Sequence, residues 1–198
     1  MSETNRAYLT KEAIRQALLR QIERKDISRV KVADLVSDAH VSKATFYRYY
    51  KDTYDLLADC FTVYLEVKDE IDKATSHGDL VVQQRRLTLL GTEKIRDYPR
   101  LFLMCHKCSY DPFAADFASR SILRSVDAAA HYISQQGITQ DTCLIGIGQL
   151  ATLCVDISTA IHIRWVTDGC NKEPLEIAEL SSACIERLVT SMRIEKQS

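Results

Sequence analysis

Residues 41–52 read VSKATFYRYYKD, and the spacing of the side chains in this stretch decides which fold the sequence predicts. Ser42 can cap a helix, because its hydroxyl accepts a hydrogen bond from a backbone N–H of the first turn. Phe46 and Tyr50 then lie four residues apart and share one face of that helix. The cation Lys43 lies off this face. The stretch therefore predicts a short amphipathic helix with a polar outer side.

A second short helix precedes this one. Val32, Leu35 and Ala39 recur at helical spacing. His40 follows at the turn and can adopt the left-handed conformation, although less readily than glycine, because it carries a Cβ. Upstream, apolar residues at helical spacing predict a first helix over about residues 10–25.

Two short helices joined by a turn form a helix-turn-helix pattern, whose second helix fits the major groove of DNA. Contacts to base edges need cations or amides, and contacts to phosphates need hydroxyl and N–H donors. Lys43 and Arg48 can donate to guanine. The hydroxyls that can donate to phosphate belong to Ser42, Thr45, Tyr47 and Tyr49. The same spacing also fits a solvated helix face whose tyrosines pack against neighbouring residues.

The charge is distributed unevenly along the chain. Residues 1–51 hold eleven Lys and Arg against six Asp and Glu, a balance of +5. The remaining residues hold fifteen against twenty-one, a balance of −6, so the net charge of −1 hides a basic N-terminal segment. Such an asymmetry is typical of a small domain that meets a polyanion beside a larger acidic domain.

Residues 10–61, and above all residues 41–52, resemble the N-terminal domain of the TetR family of bacterial transcription regulators. The resemblance implies an all-helical homodimer with a three-helix DNA-binding head, a linking fourth helix and a C-terminal domain of about five helices that binds a small effector and dimerises. By position, Ser42 resembles the phosphate-contacting cap of the recognition helix, and Lys43 and Ala44 resemble its base-facing start. Thr45, Tyr47 and Tyr49 resemble phosphate or base contacts.

Three positions depart from the family pattern. His40 stands where a turn glycine is usual, and Lys31 where a threonine often caps the second helix. Thr53 stands where a lysine commonly meets phosphate, which leaves Thr53 to cap the fourth helix or to donate one hydroxyl. Lys51 or Lys31 is expected to supply the displaced charge, so Lys51 joins the predicted DNA contacts.

Composition and punctuation agree with an all-α protein. Hydrophobic residues make up 46% and charged residues 27%, while six Gly and three Pro are too few for a turn-rich β-fold. We expect three parts: a helix-turn-helix domain at 1–52, a connecting helix at 53–77 and a C-terminal ligand-binding and dimerisation domain at 78–198. Helices in the third part are predicted at about 80–97, 99–109, 112–136, 139–167 and 174–193.

The predicted effector pocket is apolar. Asp156 is its one carboxylate and needs a partner such as Arg164, a ligand group, a water or an exposed face, because burying it unpaired is costly. Aromatic residues at helical spacing also fit an ordinary core. The residues expected to line the pocket are Phe102, Cys105, Tyr110, Phe113, Phe117, Asp156 and Trp165.

The last helix carries a stripe suited to dimerisation, since its small residues allow close helix approach. With the preceding helix it would form a four-helix bundle with its two-fold copy. The stripe consists of Ile177, Ser181, Cys184, Ile185, Leu188 and Met192.

Cys105 and Cys108 form a C-x-x-C pair, but no second ligand pair follows at zinc-finger spacing, so we expect no metal and no cofactor. Seven cysteines without a secretory signal favour a reduced, cytoplasmic location in a bacterium. No apolar stretch is long enough for a membrane span, and no catalytic constellation emerges, so we expect no membrane association and no enzyme.

The sequence therefore predicts a sequence-specific DNA-binding regulator, a repressor released from a palindromic operator by a small-molecule effector. Two other classes stay open. In one, the same head serves a C-terminal domain that senses a partner protein, a metal or thiol oxidation. In the other, the chain is a helical interaction module that binds no DNA, a class that the segregated basic charge disfavours.

Overall fold

The computed structural model describes residues 3–65, 80–107 and 112–194. Within these ranges the chain is helical, with one isolated β-bridge between Cys143 and Arg193 and no strand, which confirms the all-α class. No helix in the described ranges is both long and apolar enough to cross a bilayer. The helices are α1 (Glu3–Ile22), α2 (Val32–Asp38), α3 (Lys43–Tyr49), α4 (Thr53–Cys60), α5 (Leu80–Asp97), α6 (Pro99–Lys107), α7 (Pro112–Gln135), α8 (Ile147–Thr167) and α9 (Pro174–Ser191).

The chain divides into two compact units. The head unit comprises Met1–Tyr64 with Arg100–Phe117, and the second unit comprises Leu65–Pro99 with Ala118–Ser198. This division differs from the predicted boundaries, because α6 belongs with the head. The Arg100 guanidinium donates to the carbonyl of Ile22 at the end of α1, where helical carbonyls lack partners within the helix.

The core of the head unit follows the helical spacing of its apolar residues. Residues of α1, α2, α3 and α4 bury one face each, and the hydrophobic effect of that burial holds these short helices together. The fully buried side chains include Ile14, Leu18, Leu35, Phe46, Leu56 and Leu57.

Helix α1 begins earlier than predicted. The sequence predicts a start near Thr10, yet the Thr10 hydroxyl donates to the carbonyl of Arg6 at 2.8 Å, so it lies inside a helix that begins at Glu3. At the other end α1 stops at Ile22 rather than at Lys25.

The connecting helix is described only in its first half. Helix α4 runs to Cys60 and continues as a five-residue π-helical segment, Phe61–Leu65. The rest of the predicted connecting helix, residues 66–77, lies outside the described residues.

Helix α8 begins at Ile147 rather than at about residue 139. Two features explain why α8 starts later in the sequence than predicted. Gly146 has φ of 85°, which ends any continuous helix before it. Upstream, the Leu144 N–H donates to the Met192 carbonyl and the Ile194 N–H to the Thr142 carbonyl, each at 2.9 Å, so this strand-like pairing replaces helical bonding.

In the second unit, α9 packs against α5 and α8. The core that results is apolar and is built from α7, α8, α9 and the loop before α8. Its buried members are Tyr132, Ile133, Ile138, Cys143, Leu150, Ala151, Cys154, Ile185 and Val189.

Candidate nucleic-acid interface

The turn between α2 and α3 is a Schellman motif. His40 has φ of 53°, the left-handed conformation predicted for it. The His40 N–H donates to the Ser37 carbonyl at 3.3 Å and the Val41 N–H to the Val36 carbonyl at 3.0 Å. A histidine therefore closes the turn here, and its exposed side chain leaves the core of the head undisturbed.

Ser42 caps α3 as predicted. Its Oγ accepts a hydrogen bond from the Thr45 N–H at 3.0 Å, and the two hydroxyl oxygens lie 2.9 Å apart. Each hydroxyl has one hydrogen, and the bond between them uses one. The other hydroxyl hydrogen is left to donate to a phosphate oxygen.

Helix α3 separates an apolar inner face from a polar outer face. Phe46 is fully buried and Tyr50 is 3% exposed, with ring centroids 5.8 Å apart. Tyr47 is 57% exposed, and its ring meets the Phe46 ring edge-on at 5.4 Å. Of the other predicted contact residues, Thr45 and Tyr49 are half-buried, and the exposed ones are Ser42, Lys43, Ala44, Arg48 and Lys51.

The cations near this face lack ion-pair partners among the described residues. No carboxylate of the described residues forms an ion pair with Lys43, Arg48 or Lys51. Elsewhere in the head, Arg20 pairs with Asp38 at 3.1 Å. The outer side of α3 therefore presents uncompensated positive charge together with hydroxyl donors.

Helix α4 is capped by Asp52, whereas the sequence left Thr53 either to cap this helix or to donate one hydroxyl to phosphate. The Asp52 Oδ1 accepts hydrogen bonds from the N–H groups of Tyr54 and Asp55, both at 2.9 Å. A carboxylate before the first turn serves better than a hydroxyl, because it also interacts favourably with the helix dipole. Thr53 is the first residue of α4 and is half-buried. Lys31, by contrast, precedes α2 without any side-chain cap.

A series of hydrogen-bonded polar side chains starts at Tyr50, on the inner face of α3. The sequence did not predict it. The Tyr50 hydroxyl donates to Asp59 Oδ2 at 2.6 Å, and Arg15 Nε donates to the same oxygen at 2.9 Å. Arg15 Nη1 reaches Glu12 Oε2 at 2.9 Å, and Glu12 Oε1 accepts from the Tyr64 hydroxyl at 2.6 Å. The sequence shows the opposite charges and the helical spacing of Glu12 and Arg15. It does not show that Arg15 pairs with Asp59.

In this series of hydrogen-bonded side chains, burial opposes the ionisation of Asp59 and Arg15, whereas their pairing favours it. Burial opposes ionisation of Asp59, but the hydrogen bonds from Tyr50 and Arg15 outweigh it, and the pKa of the Asp59 carboxyl lies below its ordinary value. Burial likewise opposes the charge of Arg15, but the hydrogen bond to Asp59 and its negative charge raise the Arg15 pKa. Burial, and then the hydrogen bond to Asp59, raise the pKa of Tyr50. Asp59 and Arg15 are therefore ionised and Tyr50 is neutral at physiological pH.

The predicted pocket residues fall in both units, so the pocket stays a prediction. Phe102 and Cys105 are buried in α6 within the head unit, while Trp165 is buried in the second unit, where its Nε1 donates to the Lys172 carbonyl at 3.1 Å. Asp156 is exposed on α8. Tyr110 and the side chains of Phe113 and Phe117 lie outside the described residues.

Arg164, the expected partner of Asp156, pairs instead with Asp168 at 2.8 Å. That residue lies one turn further along, on the same side of the helix. Asp156 lies on an exposed face of α8, which is one of the alternatives that the sequence left open. Its exposure explains how the most apolar helix accommodates a carboxylate.

A groove of about 290 Å³ opens on the second unit between α7 and α9. Its lining differs from the predicted pocket. The lining residues are Tyr132, Gln136, Ile138, Glu186, Val189, Thr190 and Arg193.

The predicted dimer stripe faces the interior of its own chain. Ile177, Ser181 and Ile185 are buried in a single chain, and the Ser181 hydroxyl donates to Ser158 Oγ on α8 at 3.0 Å. Cys184 is half-buried, and Leu188 and Met192 are half-buried against the core. The outward side of α8 and α9 carries other residues, including Leu153 and Leu180, which are 40% and 49% exposed.

The C-x-x-C pair is only partly described. Cys105 is buried in α6, while Cys108 lies outside the described residues. Within the described ranges, no group of three or more His, Cys, Asp and Glu side chains is placed to hold a metal ion.

Comparisons with known proteins place the helix-turn-helix within a segment that matches a known family. The family model described as "Bacterial regulatory proteins, tetR family" matches residues 14–60, which run from the buried Ile14 of α1 to the end of α4. No curated protein matches the sequence.

Solved structures of TetR-family regulators share the fold over nearly the whole chain. NalD from Pseudomonas aeruginosa, the secondary repressor of the MexAB-OprM multidrug efflux pump, aligns with a TM-score of 0.73 at 11% identity, covering 95% of this chain and 97% of its own. A TetR-like transcriptional regulator from Rhodococcus sp. RHA1 aligns with a TM-score of 0.71 at 16% identity, covering 96% and 98%. The repressor FadR from Thermus thermophilus, solved with lauroyl-CoA, aligns with a TM-score of 0.61 at 20% identity, covering 95% and 97%.

The identities in these alignments are low, so the structural likeness speaks for the fold, while the match at residues 14–60 speaks for the family. The matched segment contains the whole helix-turn-helix. Residues 14–60 therefore match the TetR family, and the chain shares the all-helical fold of solved regulators of that family.

Proposed function

We propose that this protein is a sequence-specific DNA-binding repressor that acts as a homodimer and leaves its operator when a small molecule binds the second unit. The observation that carries the proposal is the outer side of α3, where Lys43, Arg48 and Lys51 are exposed and form no ion pair with any described carboxylate. A surface of this kind, on a helix held by an apolar inner face, suits a polyanion.

The side chains of α3 divide into two kinds of contact. Lys43 and Arg48 can donate to guanine O6 and N7 in the major groove, and the methyl group of Ala44 can meet a thymine methyl group. The hydroxyl pair of Ser42 and Thr45 leaves one hydrogen for a phosphate. Lys51, and the remaining hydroxyls of Tyr47 and Tyr49, complete the proposed set.

Two copies of the chain are needed to read a palindrome. In a two-fold dimer the recognition helices meet half-sites about 34–36 Å apart, one turn of DNA. The stripe from Ile177 to Ile185 is used within the chain, so we place the dimer face on the outward side of α8 and α9, around Leu153 and Leu180. Their exposure as large apolar side chains favours burial against a second copy.

The dimer face is tested by Leu180→Asp, which puts a charge into the proposed contact. Light scattering at micromolar concentration is expected to give a dimer mass for the wild type and a monomer mass for this variant. Leu123→Asp is the matched control, because Leu123 is 62% exposed and belongs to α7, not to either helix of the proposed dimer face. A dimeric Leu180→Asp variant would refute this placement.

The proposed effector is a small organic molecule. Thermus FadR was solved with lauroyl-CoA, and NalD represses a multidrug efflux pump, so both names connect proteins of this fold with organic molecules. An effector that binds one state of the dimer more tightly than another weakens DNA binding by that difference, about 1–3 kcal/mol in typical cases. We propose no catalytic activity, and a cytoplasmic location in a bacterium.

Sensing by thiol oxidation is disfavoured at the buried cysteines among the described residues. Cys60, Cys105, Cys143 and Cys154 are buried. Burial raises the pKa of Cys154 to about 11, and burial together with Asp59 raises the pKa of Cys60. These two thiols are therefore protonated at neutral pH, and thiols react with oxidants as thiolates.

The DNA-binding proposal is tested by selection. The purified full-length protein is mixed with a pool of random duplexes, and the bound duplexes are sequenced after several rounds. We expect a pseudo-palindrome with half-sites one helical turn apart, and a footprint on the enriched duplex. The absence of any enriched duplex, or an enriched site without two-fold symmetry, would contradict the proposal.

A further inference from the structure

We propose that the buried chain Tyr50–Asp59–Arg15 fixes the orientation of the recognition helix, and that Tyr50 and Asp59 are positioning residues for operator recognition. This inference rests on the proposed DNA-binding function and concerns residues that do not reach the outer side of α3. Tyr50 is the C-cap residue of α3, Asp59 lies in α4, and Arg15 lies in α1. One side chain at the end of the recognition helix is thus joined to both supporting helices.

The bond from Tyr50 has no equivalent elsewhere in α3. Within the described residues, it is the one side-chain hydrogen bond that joins residues 42–50 to another helix, since the Ser42–Thr45 pair is local. Phe46 supplies the apolar contact. Apolar contacts are non-directional and allow a short helix to rotate or slide, whereas a hydrogen bond fixes distance and angle. At 2.6 Å to a carboxylate, this bond is of the short, charge-assisted kind.

The oxygen that receives the Tyr50 hydroxyl is itself held in place. Asp59 Oδ2 accepts both from Tyr50 and from Arg15 Nε, and Arg15 is only 5% exposed. Arg15 is fixed in turn by Glu12, which belongs to the same helix. The guanidinium therefore has little freedom, and because Tyr50 and Arg15 share one Asp59 oxygen, the carboxylate cannot turn away from Tyr50 without also breaking its ion pair with the buried Arg15.

The series of side-chain hydrogen bonds continues past Arg15 to the segment after α4. Glu12 Oε1 accepts from the Tyr64 hydroxyl at 2.6 Å and from Gln16 Nε2 at 2.9 Å. Tyr64 lies in the π-helical segment that follows α4. Helix α1 thus contacts α4 and its continuation at two levels, which gives Asp59 a rigid support.

A fault in orientation affects specific and non-specific DNA binding differently. Base edges are read by hydrogen bonds whose geometry is demanding, while non-specific binding depends on charge close to phosphates. A recognition helix that keeps its cations but loses its orientation therefore binds the operator more weakly and keeps its affinity for other DNA. Removal of a phosphate-binding side chain, by contrast, weakens both kinds of binding.

The experiment compares two dissociation constants in the full-length protein. One is the Kd for the duplex that the wild type selects from a random pool, and the other is the Kd for a shuffled duplex of the same length and composition. Tyr50→Phe removes one hydroxyl and keeps the ring against Phe46. We expect it to weaken binding to the selected duplex about tenfold, as for one hydrogen bond to a charged group, and to leave binding to the shuffled duplex unchanged.

A second variant tests whether the two residues act as one unit. Asp59→Asn removes the charge that holds both Tyr50 and Arg15, and we expect at least the same loss of the specificity ratio. The double variant is expected to lose no more than Asp59→Asn alone, because both changes break the same bond. Independent, multiplicative losses would overturn the inference.

Ile14→Val separates orientation from stability. Ile14 is fully buried in α1 and belongs to none of these hydrogen bonds, so the change lowers stability by cavity formation alone. All measurements are made where circular dichroism shows each variant folded. A wild-type specificity ratio in Tyr50→Phe, or an equal loss in Ile14→Val, would overturn the inference and leave the DNA-binding function standing. A wild type that selects no duplex would refute the function itself.

Discussion

The two units of this protein differ in where their ion pairs lie. In the head, the exposed cations of α3 lack ion-pair partners among the described residues, while buried charges form the connected chain around Arg15 and Asp59. In the second unit, ion pairs lie at the surface rather than in the core. These pairs are Arg85 with Glu186, Arg164 with Asp168, and Lys172 with Glu176.

The interior of the second unit is mainly apolar, and the buried polar side chains among its described residues carry no formal charge. Thr92 is fully buried, and its Oγ1 lies 2.8 Å from His162 Nε2. His162 Nδ1 lies 2.6 Å from the Ser158 carbonyl oxygen, so both ring nitrogens are engaged. Burial lowers the pKa of His162, which keeps it neutral at physiological pH.

The exposed cations without ion-pair partners mark the surface at which we propose that DNA binds. Exposed ion pairs contribute about 0–1 kcal/mol to stability, so leaving the cations of α3 unpaired costs the fold little. It preserves their charge for a ligand. The predictions that follow test whether the head carries DNA binding and the second unit does not.

The largest expected effect concerns the core of the head. Phe46→Ala should lower the free energy of unfolding of the head by about 3–5 kcal/mol, because it leaves a large cavity behind α3. Hydrogen exchange should show reduced protection in α1–α4 and retained protection in α8 and α9. An equal reduction of protection in both units would contradict the division of the chain.

The next effect concerns the surface of α3. Lys43→Ala and Tyr47→Ala should each weaken operator binding by about 1–3 kcal/mol, because each removes a proposed DNA contact. Their thermal midpoints should stay at the wild-type value, since both side chains are exposed.

Lys172→Ala is the matched control for Lys43→Ala. It also removes one exposed lysine charge, but from the second unit, where Lys172 pairs with Glu176 at 3.5 Å. Titration of the selected duplex should give a wild-type Kd for this control. If the two lysine variants weakened binding equally, net charge rather than the α3 surface would explain the affinity.

The smallest effect concerns His162. Because its folded-state pKa lies below the ordinary value of 6.5, the unfolded chain binds this proton more readily. The stability of the second unit should therefore be full above that pH and fall as the pH drops below it. Urea unfolding between about pH 7.5 and 5.5 should show this decrease in the wild type and a weaker decrease in His162→Gln.

His131→Gln is the control for that titration, because His131 is exposed on α7 and lies outside the core of the second unit. It should keep the wild-type dependence on pH. A His162→Gln variant with the same dependence would place the titrating group elsewhere.

Much of the head could be predicted from the sequence, because its signals are local. The cap at Ser42, the inner face of Phe46 and Tyr50 and the left-handed turn at His40 each depend on residues within a few positions. The Tyr50–Asp59–Arg15 chain could not be predicted. Arg15 and Asp59 are 44 residues apart, and no periodicity links an arginine to its carboxylate across that distance.

The second unit was harder to predict because apolar spacing shows that a face is buried but not what buries it. The stripe with Ile177 and Ile185 has the spacing of an interface, yet α5 and α8 of the same chain cover it. For the same reason Phe102 and Trp165 look equivalent in the sequence and lie in different units. Gly146, whose positive φ delays α8, likewise leaves no mark in the hydrophobic pattern.

The measurement that tests the central claim most directly is the salt dependence of DNA binding. The Kd for the selected duplex is measured at salt concentrations between about 50 and 200 mM for the wild type and for a Lys43→Ala, Arg48→Ala, Lys51→Ala triple variant. If the unpaired cations of α3 bind phosphates and bases, the wild-type affinity falls steeply and linearly on logarithmic axes. The triple variant then shows weaker binding and a slope that is smaller by about one for each phosphate it no longer binds. A wild-type Kd that does not change with salt, or a triple variant with the wild-type slope and affinity, would contradict the claim.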